Sequence, residues 1–347
     1  MSAFLASIGL PEIVAALMVL SLNAYVLMGG ADFGGGLWDL VASGPRRDAQ
    51  RTLIADSLAP IWEANHVWLI VVIVVLFTGF PSAFSTLGIV LHIPISLFLI
   101  GIVLRGSAFV FRSYGSRDDA RRKQWGLTFA IASSVTPILL GAIIGSLASG
   151  SVAAAARDVG TASFGAVFVR PWLAPFPIAV GLLALALFAY LAAVYLTIAA
   201  TDDNVRDDFR RRALAMSVVV FVFAAVALAL SYSSAPRVSA GVVGAPWSLP
   251  LHVCTAAAAI AAMVALWRRR YGVARLAAVA QVSFILWGWA YSQYPFIIPE
   301  TLTIRGSSAP TLTLRLLLVG LSVGGMILIP SLLYLFKTFA PRAGASS

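Results

Sequence analysis

The stretch Trp62-Glu63-Ala64-Asn65-His66-Val67-Trp68 places a carboxyl, an amide and an imidazole directly before a long apolar run. Residues 67–77 carry no charge and no amide, but they make up only about half of the length that a membrane-spanning helix needs. A spanning helix must therefore begin near Leu58 and include these polar groups or carry them at its edge. Ionisable groups inside a membrane are costly and usually functional, so we predict a functional site here.

The composition of the whole chain is that of an integral membrane protein. Hydrophobic residues make up 60% and charged residues 11% of the 347 residues, and the mean hydropathy is +0.94. A soluble domain does not carry so few charges. In lipid, helices and closed barrels are the structures that satisfy the backbone, and the long apolar runs lack the alternation of barrel strands. We predict an all-α polytopic membrane protein.

The apolar runs predict nine transmembrane helices in a single integral membrane domain, residues 1–347. A weak similarity between residues 22–27 and 187–192, as likely by chance as by duplication, would fit two four-helix bundles plus one peripheral helix. The predicted spans lie near 13–37, 58–79, 81–111, 127–147, 176–200, 213–232, 247–267, 276–297 and 312–336.

The charges predict the orientation of these spans. The net charge is +10, but the basic residues form short clusters between spans, which is typical of topology signals rather than of a nucleic-acid surface. Loops on one side and the C-terminal tail hold 18 of the 24 Lys and Arg, whereas the opposite loops hold four and the spans two, Arg105 and Arg315. We predict an outer N-terminus without a removable signal peptide and a cytoplasmic C-terminus.

The chain carries few residues for redox or metal chemistry. Its one cysteine, Cys254, excludes a disulfide or a cysteine cluster, and the three histidines lack metal-ligand spacing. We expect no catalytic residue, metal ligand or cofactor ligand in this chain. Its glycine-rich stretch, residues 29–36, is not a dinucleotide motif because no strand–helix unit surrounds it; we expect it to end the first span as a broken segment.

Three ionisable groups are predicted to share one depth in the cytoplasmic third of the membrane. Asp32 lies near the inner end of the first span, Glu63 at the inner start of the second, and Arg105 late in the third. Burial opposes ionisation of a carboxyl and a guanidinium favours it, so we predict that Glu63, Asp32 and Arg105 take part in proton transfer. Alternatively, Asp32 caps a helix end and Glu63 pairs with Arg105 for assembly.

Four neighbours of Glu63 are predicted to support this site. His66 follows Glu63 by three residues and Trp62 by four, so the three share one helix face. We interpret His66 as a hydrogen-bonding residue, with a heme or metal ligand as the alternative. Asn65 adds an amide, and Trp62 and Trp68 would contact a partner helix or cofactor or lie at the membrane interface.

Several motifs resemble subunit II of the cytochrome bd-type quinol oxidases, in order and over nearly the whole chain. They are Tyr25-Val26-Leu27-Met28-Gly29-Gly30-Ala31-Asp32-Phe33-Gly34, Ala59-Pro60-Ile61-Trp62-Glu63-Ala64-Asn65-His66-Val67-Trp68-Leu69-Ile70, Leu76-Phe77-Thr78-Gly79-Phe80-Pro81, Tyr294-Pro295-Phe296-Ile297-Ile298-Pro299, Leu312-Thr313-Leu314 and Pro330-Ser331-Leu332-Leu333-Tyr334.

The resemblance implies a heme-free subunit of nine helices in the prokaryotic cytoplasmic membrane. Its partner would be subunit I, which carries heme b and heme d and oxidises quinol while oxygen is reduced to water. Subunit II would support assembly and contribute a cytoplasmic proton path, with small accessory subunits, lipid and quinone as further partners. Asp32 and Arg105 match family positions, and Glu63 stands where many members have Asp.

The sequence departs from the family at two places. Many members have Asp-Gly where this chain has Gly29-Gly30, and Arg305-Gly306-Ser307 replaces a Trp-Asp-Ala-like run. Both departures concern the proton path or the quinone preference rather than membership. The rival function is a stand-alone proton-coupled transporter, which would need a central site at broken helices.

Overall fold

The computed structural model describes residues 9–58, 62–114 and 119–339; the side chains of Trp62 and Glu63 lie outside the described part. Most of the described residues are helical. The helices, numbered in chain order, are α1 Leu10–Leu40, α2 Arg47–Leu58, α3 Trp62–Gly79, α4 Pro81–Val90, α5 His92–Tyr114, α6 Asp119–Ala148, α7 Ser151–Arg157, α8 Phe164–Phe168, α9 Arg170–Leu173, α10 Pro175–Ala199, α11 Asp203–Ser234, α12 Pro236–Ser239, α13 Ser248–Trp267, α14 Tyr271–Gln293 and α15 Thr311–Phe339.

Two short irregular segments complete the fold on the side where α14 ends. A π-helical turn, Ala240–Gly244, precedes α13. The strands β1 Phe296–Ile298 and β2 Leu302–Thr303 form an antiparallel pair between α14 and α15. The described residues thus confirm the all-α prediction.

Within the described residues, eight helices are long and apolar enough to cross a membrane, and nine if one bent pair counts as a single span. The bent pair is α3 and α4, which meet at 115° beside Pro81. Two predicted boundaries are therefore wrong. Leu58 ends the separate polar helix α2 instead of beginning α3, and the continuous helix expected over 81–111 is two helices, α4 and α5.

The break between α4 and α5 has a local cause. Pro94 is the third residue of α5, and it lacks the N–H that would bond the carbonyl of Val90 if the helix continued. The chain turns at Leu91 and restarts, with Ile95 N donating to Leu91 O at 3.0 Å. A hydropathy pattern does not register this break because both sides of it are apolar.

The long helices form two groups with the same packing pattern. In the first group α1 packs against α3 and α6, and α5 packs against α6. In the second, α10 packs against α11 and α14, and α13 packs against α14. The groups meet where α10 lies against α1 and α6, and α15 packs outside against α3 and α1. This agrees with two four-helix bundles plus a peripheral helix.

The similar segments 22–27 and 187–192 lie in α1 and α10, the first helix of each group. Tyr25 and Tyr190, which correspond in the two segments, are both fully buried. The weak sequence similarity therefore coincides with corresponding places in the two groups.

The glycine-rich stretch is an unbroken part of α1, contrary to our expectation that it ends the span. Glycines let two helix backbones approach closely, and this is their use here. A Cβ at Gly34 would overlap the backbone carbonyl of Phe188 in α10, and a Cβ at Gly30 would lie 2.6 Å from Leu191 Cδ1. The stretch is thus the contact surface between the two helix groups.

Candidate functional site

An ion pair between Asp32 and Arg105 lies at the centre of the candidate site. Arg105 donates through Nη2 to Asp32 Oδ1 and, at 3.2 Å, to the Asp32 carbonyl. Asn65 donates through Nδ2 to the other carboxylate oxygen, Oδ2, at 2.7 Å. Asp32 and Asn65 are 0% exposed and Arg105 is 1% exposed. A buried ion pair persists when hydrogen bonds satisfy it in this way.

The guanidinium of Arg105 is held by a second set of contacts. Its Nε donates to Ser133 Oγ in α6 at 3.1 Å. Its carbon lies 4.9 Å from the centre of the Phe33 ring and 5.1 Å from that of Phe129. Aromatic rings at this distance attract a cation. Ser133 and the two rings were not among the predicted site residues, since nothing in a single apolar helix distinguishes them.

Of the two predicted carboxyl partners of Arg105, Asp32 is the one whose contact the structure describes. Asp32 lies inside α1, about 12 Å along the axis from its last residue Leu40, and so does not cap the helix end. Arg105 pairs with Asp32, and a further pairing of Arg105 with Glu63 concerns a side chain outside the described part. The side chains of Glu63 and Trp62 lie outside the described residues, although both begin α3, in the turn before Asn65.

The remaining predicted neighbours, His66 and Trp68, also lie in α3. His66 packs edge-on against Tyr25 and Phe33, each at 6.3 Å between ring centres. Trp68 is half-buried and packs against the core. Among the described residues, no group of three or more His, Cys, Asp or Glu could hold a metal ion.

A second ion-pair cluster lies further along α1 and was missed by the sequence reasoning. Asp39 accepts two bonds from Arg112, from Nη1 at 2.7 Å and from Nη2 at 3.1 Å. Arg51 of α2 lies 3.6 Å from the same carboxylate and also donates to the Asp39 carbonyl, through Nη2 at 3.1 Å. Asp39 follows the apolar part of its span, so the sequence alone suggests a surface residue.

A third cluster fastens α2 to α11. Asp208 accepts from Arg46, through Nε at 2.8 Å and Nη2 at 2.6 Å, and from Gln50 Nε2 at 2.8 Å. Gln50 in turn accepts from Arg212 Nη2 at 2.8 Å. The bonds to Asp208 raise the pKa of Arg46 above its usual range. Polar contacts thus bind the two helix groups where α1 ends.

The two departures from the family pattern differ in their relation to the site. A Cβ at Gly29 would lie 3.8 Å from Asn65 Nδ2, so an acid there would stand beside the amide that binds Asp32. Arg305 instead pairs with Glu12, Nε to Oε1 at 2.5 Å, at the start of α1. That pair is about 30 Å along the helix from Asp32, remote from the site.

Comparison with known proteins agrees with the resemblance seen in the motifs. The family described as cytochrome bd terminal oxidase subunit II matches residues 10–339. A Bacillus subtilis protein whose name provisionally assigns it to subunit II of a cytochrome bd menaquinol oxidase is 25% identical over 321 residues, 91% of each chain. Subunit 2 of the Escherichia coli K12 cytochrome bd-I ubiquinol oxidase is 29% identical over 130 residues, 37% of this chain and 33% of that protein.

The fold is also that of a solved oxidase chain. A chain in the structure of the bd oxidase from Geobacillus thermodenitrificans superposes with a TM-score of 0.79 at 22% identity, and the match covers 95% of this chain and 98% of that chain. The structural similarity establishes the fold, and the family match over nearly the whole chain establishes family membership. This membrane protein belongs to the cytochrome bd terminal oxidase subunit II family, whose members are subunits of respiratory quinol oxidases.

Proposed function

We propose that this chain is the heme-free subunit of a bd-type quinol:oxygen oxidoreductase, and that it delivers cytoplasmic protons toward a heme-bearing partner. The observation that carries the proposal is the Asp32 carboxylate, fully buried yet fixed by Arg105 and Asn65. Intramembrane ionisable groups that face a protein interior mark proton or ion pathways. The N-terminus would lie outside and the C-terminus in the cytoplasm.

The hemes are assigned to the partner subunit. In this chain the Nδ1 atoms of His92 and His252 lie 2.9 and 2.7 Å from nearby backbone carbonyls, that of Ile89 in α4 and that of Ser248 in α13. Both imidazoles thus make local backbone contacts, and the assignment of the hemes to the partner rests on the family resemblance. Hemes b and d of the partner would supply the electron transfer from quinol to oxygen, while this chain stabilises the complex and supplies protons.

The hydrogen bonds of the Asp32 carboxylate leave room for a proton. Oδ1 accepts from Arg105 and Oδ2 from Asn65, and each oxygen has a second lone pair. A proton can therefore bind the carboxylate while both donors keep their bonds. Glu63 begins α3, in the turn before Asn65, and we place it as the residue that loads the proton. Trp62 and Trp68 would line the same end of α3.

The described helices offer little support for the transporter alternative. It would require broken helices around a central substrate site. The glycine-rich stretch is continuous helix, and the bend between α3 and α4 lies beside Pro81, about 20 Å along α3 from Asn65. Purification separates the two functions. A red-brown complex with a second subunit supports the oxidase, whereas a colourless chain that moves solute by itself would contradict it.

Glu63→Gln is expected to slow oxygen consumption by the purified complex roughly 10²-fold, the lower end of what a positioned proton-transfer group contributes. Heme content per complex should stay at the wild-type level because the change keeps size and removes charge. Quinol-driven oxygen uptake and heme absorbance measure the two quantities.

Glu300→Gln is the matched control. Glu300 is exposed and lies between β1 and β2, near the start of α1, whereas α2 follows the end of α1. It should leave both quantities unchanged. Wild-type oxygen uptake by the Glu63→Gln complex, at full heme content, would refute the proposed role of Glu63.

A further inference from the structure

Two ion pairs join α1 and α5 with the same spacing. Asp39 follows Asp32 by seven residues in α1, and Arg112 follows Arg105 by seven residues in α5. Seven residues are two helical turns, about 10 Å, so the pairs form two rungs between helices that run in the same direction. We call Asp32–Arg105 the inner rung and Asp39–Arg112 the outer rung.

The rungs differ in their access to solvent. In the inner rung the side chains of Asp32 and Arg105 are 0% and 2% exposed. In the outer rung Asp39 is 3% exposed, but Arg112 is 25% exposed. The outer rung therefore stands between the surface and the buried carboxylate, at the place where a proton bound for Asp32 would enter.

The outer rung also differs in charge. Arg51 of α2, itself 30% exposed, lies 3.6 Å from the Asp39 carboxylate, so two guanidiniums converge on one carboxylate. From α11, Arg212 lies 5.2 Å above the ring of the adjacent Trp38. The surroundings of Asp39 are thus positive even with its own charge present.

We propose that Asp39 is a positioning residue that supplies the counter-charge at the mouth of the proton path. A positive potential at the mouth repels protons and lowers their local concentration, as charged clefts do for any ion. Asp39 offsets one of the two guanidiniums and holds both in place. The inference rests on the proposed proton-delivery function. It adds that the charge of Asp39 sets how readily protons enter the path.

The test uses the assembled, heme-loaded oxidase carrying Asp39→Asn. The mouth then gains one positive charge about 10 Å from Asp32. A unit charge at that distance and an effective dielectric constant of about 20 shifts a proton equilibrium by about one pH unit. Because fewer protons reach the path at a given bulk pH, the pH at which oxygen uptake falls to half should move down by about one unit.

Four further measurements distinguish the counter-charge from a structural role. Arg51→Gln should move the half-activity pH upward, the double variant with Asp39→Asn should return it to near the wild-type value, and Asp39→Glu should preserve it. Raising ionic strength from about 0.01 M to about 1 M shortens the Debye length from about 30 Å to about 3 Å. The shift in Asp39→Asn should shrink accordingly.

Asp203→Asn is the matched control, since it changes the net charge equally at a carboxylate that is 85% exposed. An equal shift in this control, or a wild-type pH profile in Asp39→Asn, would overturn the inference. So would shifts of the same sign in Asp39→Asn and Arg51→Gln. Asp32→Asn distinguishes failure of the proposed proton path from failure of the role of Asp39. Wild-type oxygen uptake by Asp32→Asn would refute the proton path itself. Slow uptake by Asp32→Asn, together with an unshifted pH profile of Asp39→Asn, would refute the role of Asp39 alone.

Discussion

Arg105→Met is expected to destabilise the protein by about 3–5 kcal/mol, the usual cost of removing one partner from a buried ion pair. Methionine replaces most of the volume between Phe33 and Phe129 but leaves the Asp32 carboxylate without a cation in a fully buried site. Ser133 also loses its donor. The thermal midpoint of the purified complex and the yield of heme-loaded oxidase measure the loss.

The double variant Asp32→Asn with Arg105→Met separates stability from function. Removing both charges should restore most of the stability, since replacing a buried pair by neutral groups is often close to neutral. Oxygen uptake should remain low because the carboxyl is gone. Full uptake by the double variant would contradict the role proposed for Asp32.

Arg315→Met is the control for both variants. Arg315 lies in the apolar helix α15 but is exposed, so its loss should change the thermal midpoint little. A loss of stability as large as that of Arg105→Met would mean that burial is not the cause of the effect.

The contrast between Arg105 and Arg315 shows that the sequence alone does not predict which arginine in an apolar helix is buried. Each stands alone in an apolar run, and hydropathy treats them alike. Their difference arises from tertiary neighbours: Asp32 and Ser133 come from two other helices to meet Arg105. The shared depth of Asp32 and Arg105 could be predicted because it follows from topology and residue position, whereas the hydrogen-bond partners could not.

The fold itself was largely predictable because long apolar runs in a membrane leave few alternatives to helix. The errors lie at polar helix ends and at prolines. The span predicted over 213–232 belongs to Asp203–Ser234, where Asp202 caps the first turn by accepting from Asn204 N and Val205 N. Hydropathy marks the apolar part of such a helix and misses its charged beginning.

Asp39 was missed for the same reason. It follows the apolar part of α1 and precedes Arg46 and Arg47, as a solvated residue after a span would. Its burial depends on Arg112, which approaches from α5 seventy-three residues later. Long-range pairing of this kind leaves no local pattern.

Gly34→Ala is expected to cost about 3 kcal/mol or more, at or beyond the upper end of ordinary overpacking. The added methyl group would overlap the Phe188 carbonyl. A backbone carbonyl inside α10 cannot rotate away without breaking its helix, so α1 and α10 must move apart. Because these two helices join the two groups, yield and thermal midpoint of the complex should both fall.

Gly30→Ala and Gly320→Ala complete a graded series. At Gly30 the added methyl group would lie 2.6 Å from Leu191 Cδ1 and 2.9 Å from Leu191 Cβ, whereas at Gly34 it would come closer still and overlap the Phe188 carbonyl oxygen. A rotamer change moves Cδ1 away and leaves the milder contact with Cβ, so the cost should be smaller than at Gly34. At Gly320 in α15 nothing lies within 4 Å of an added Cβ, and alanine there favours helix over glycine. We expect the thermal midpoint to be highest for Gly320→Ala, lower for Gly30→Ala and lowest for Gly34→Ala. If Gly34→Ala assembled like Gly320→Ala, the close contact between α1 and α10 would not be what holds the two helix groups together.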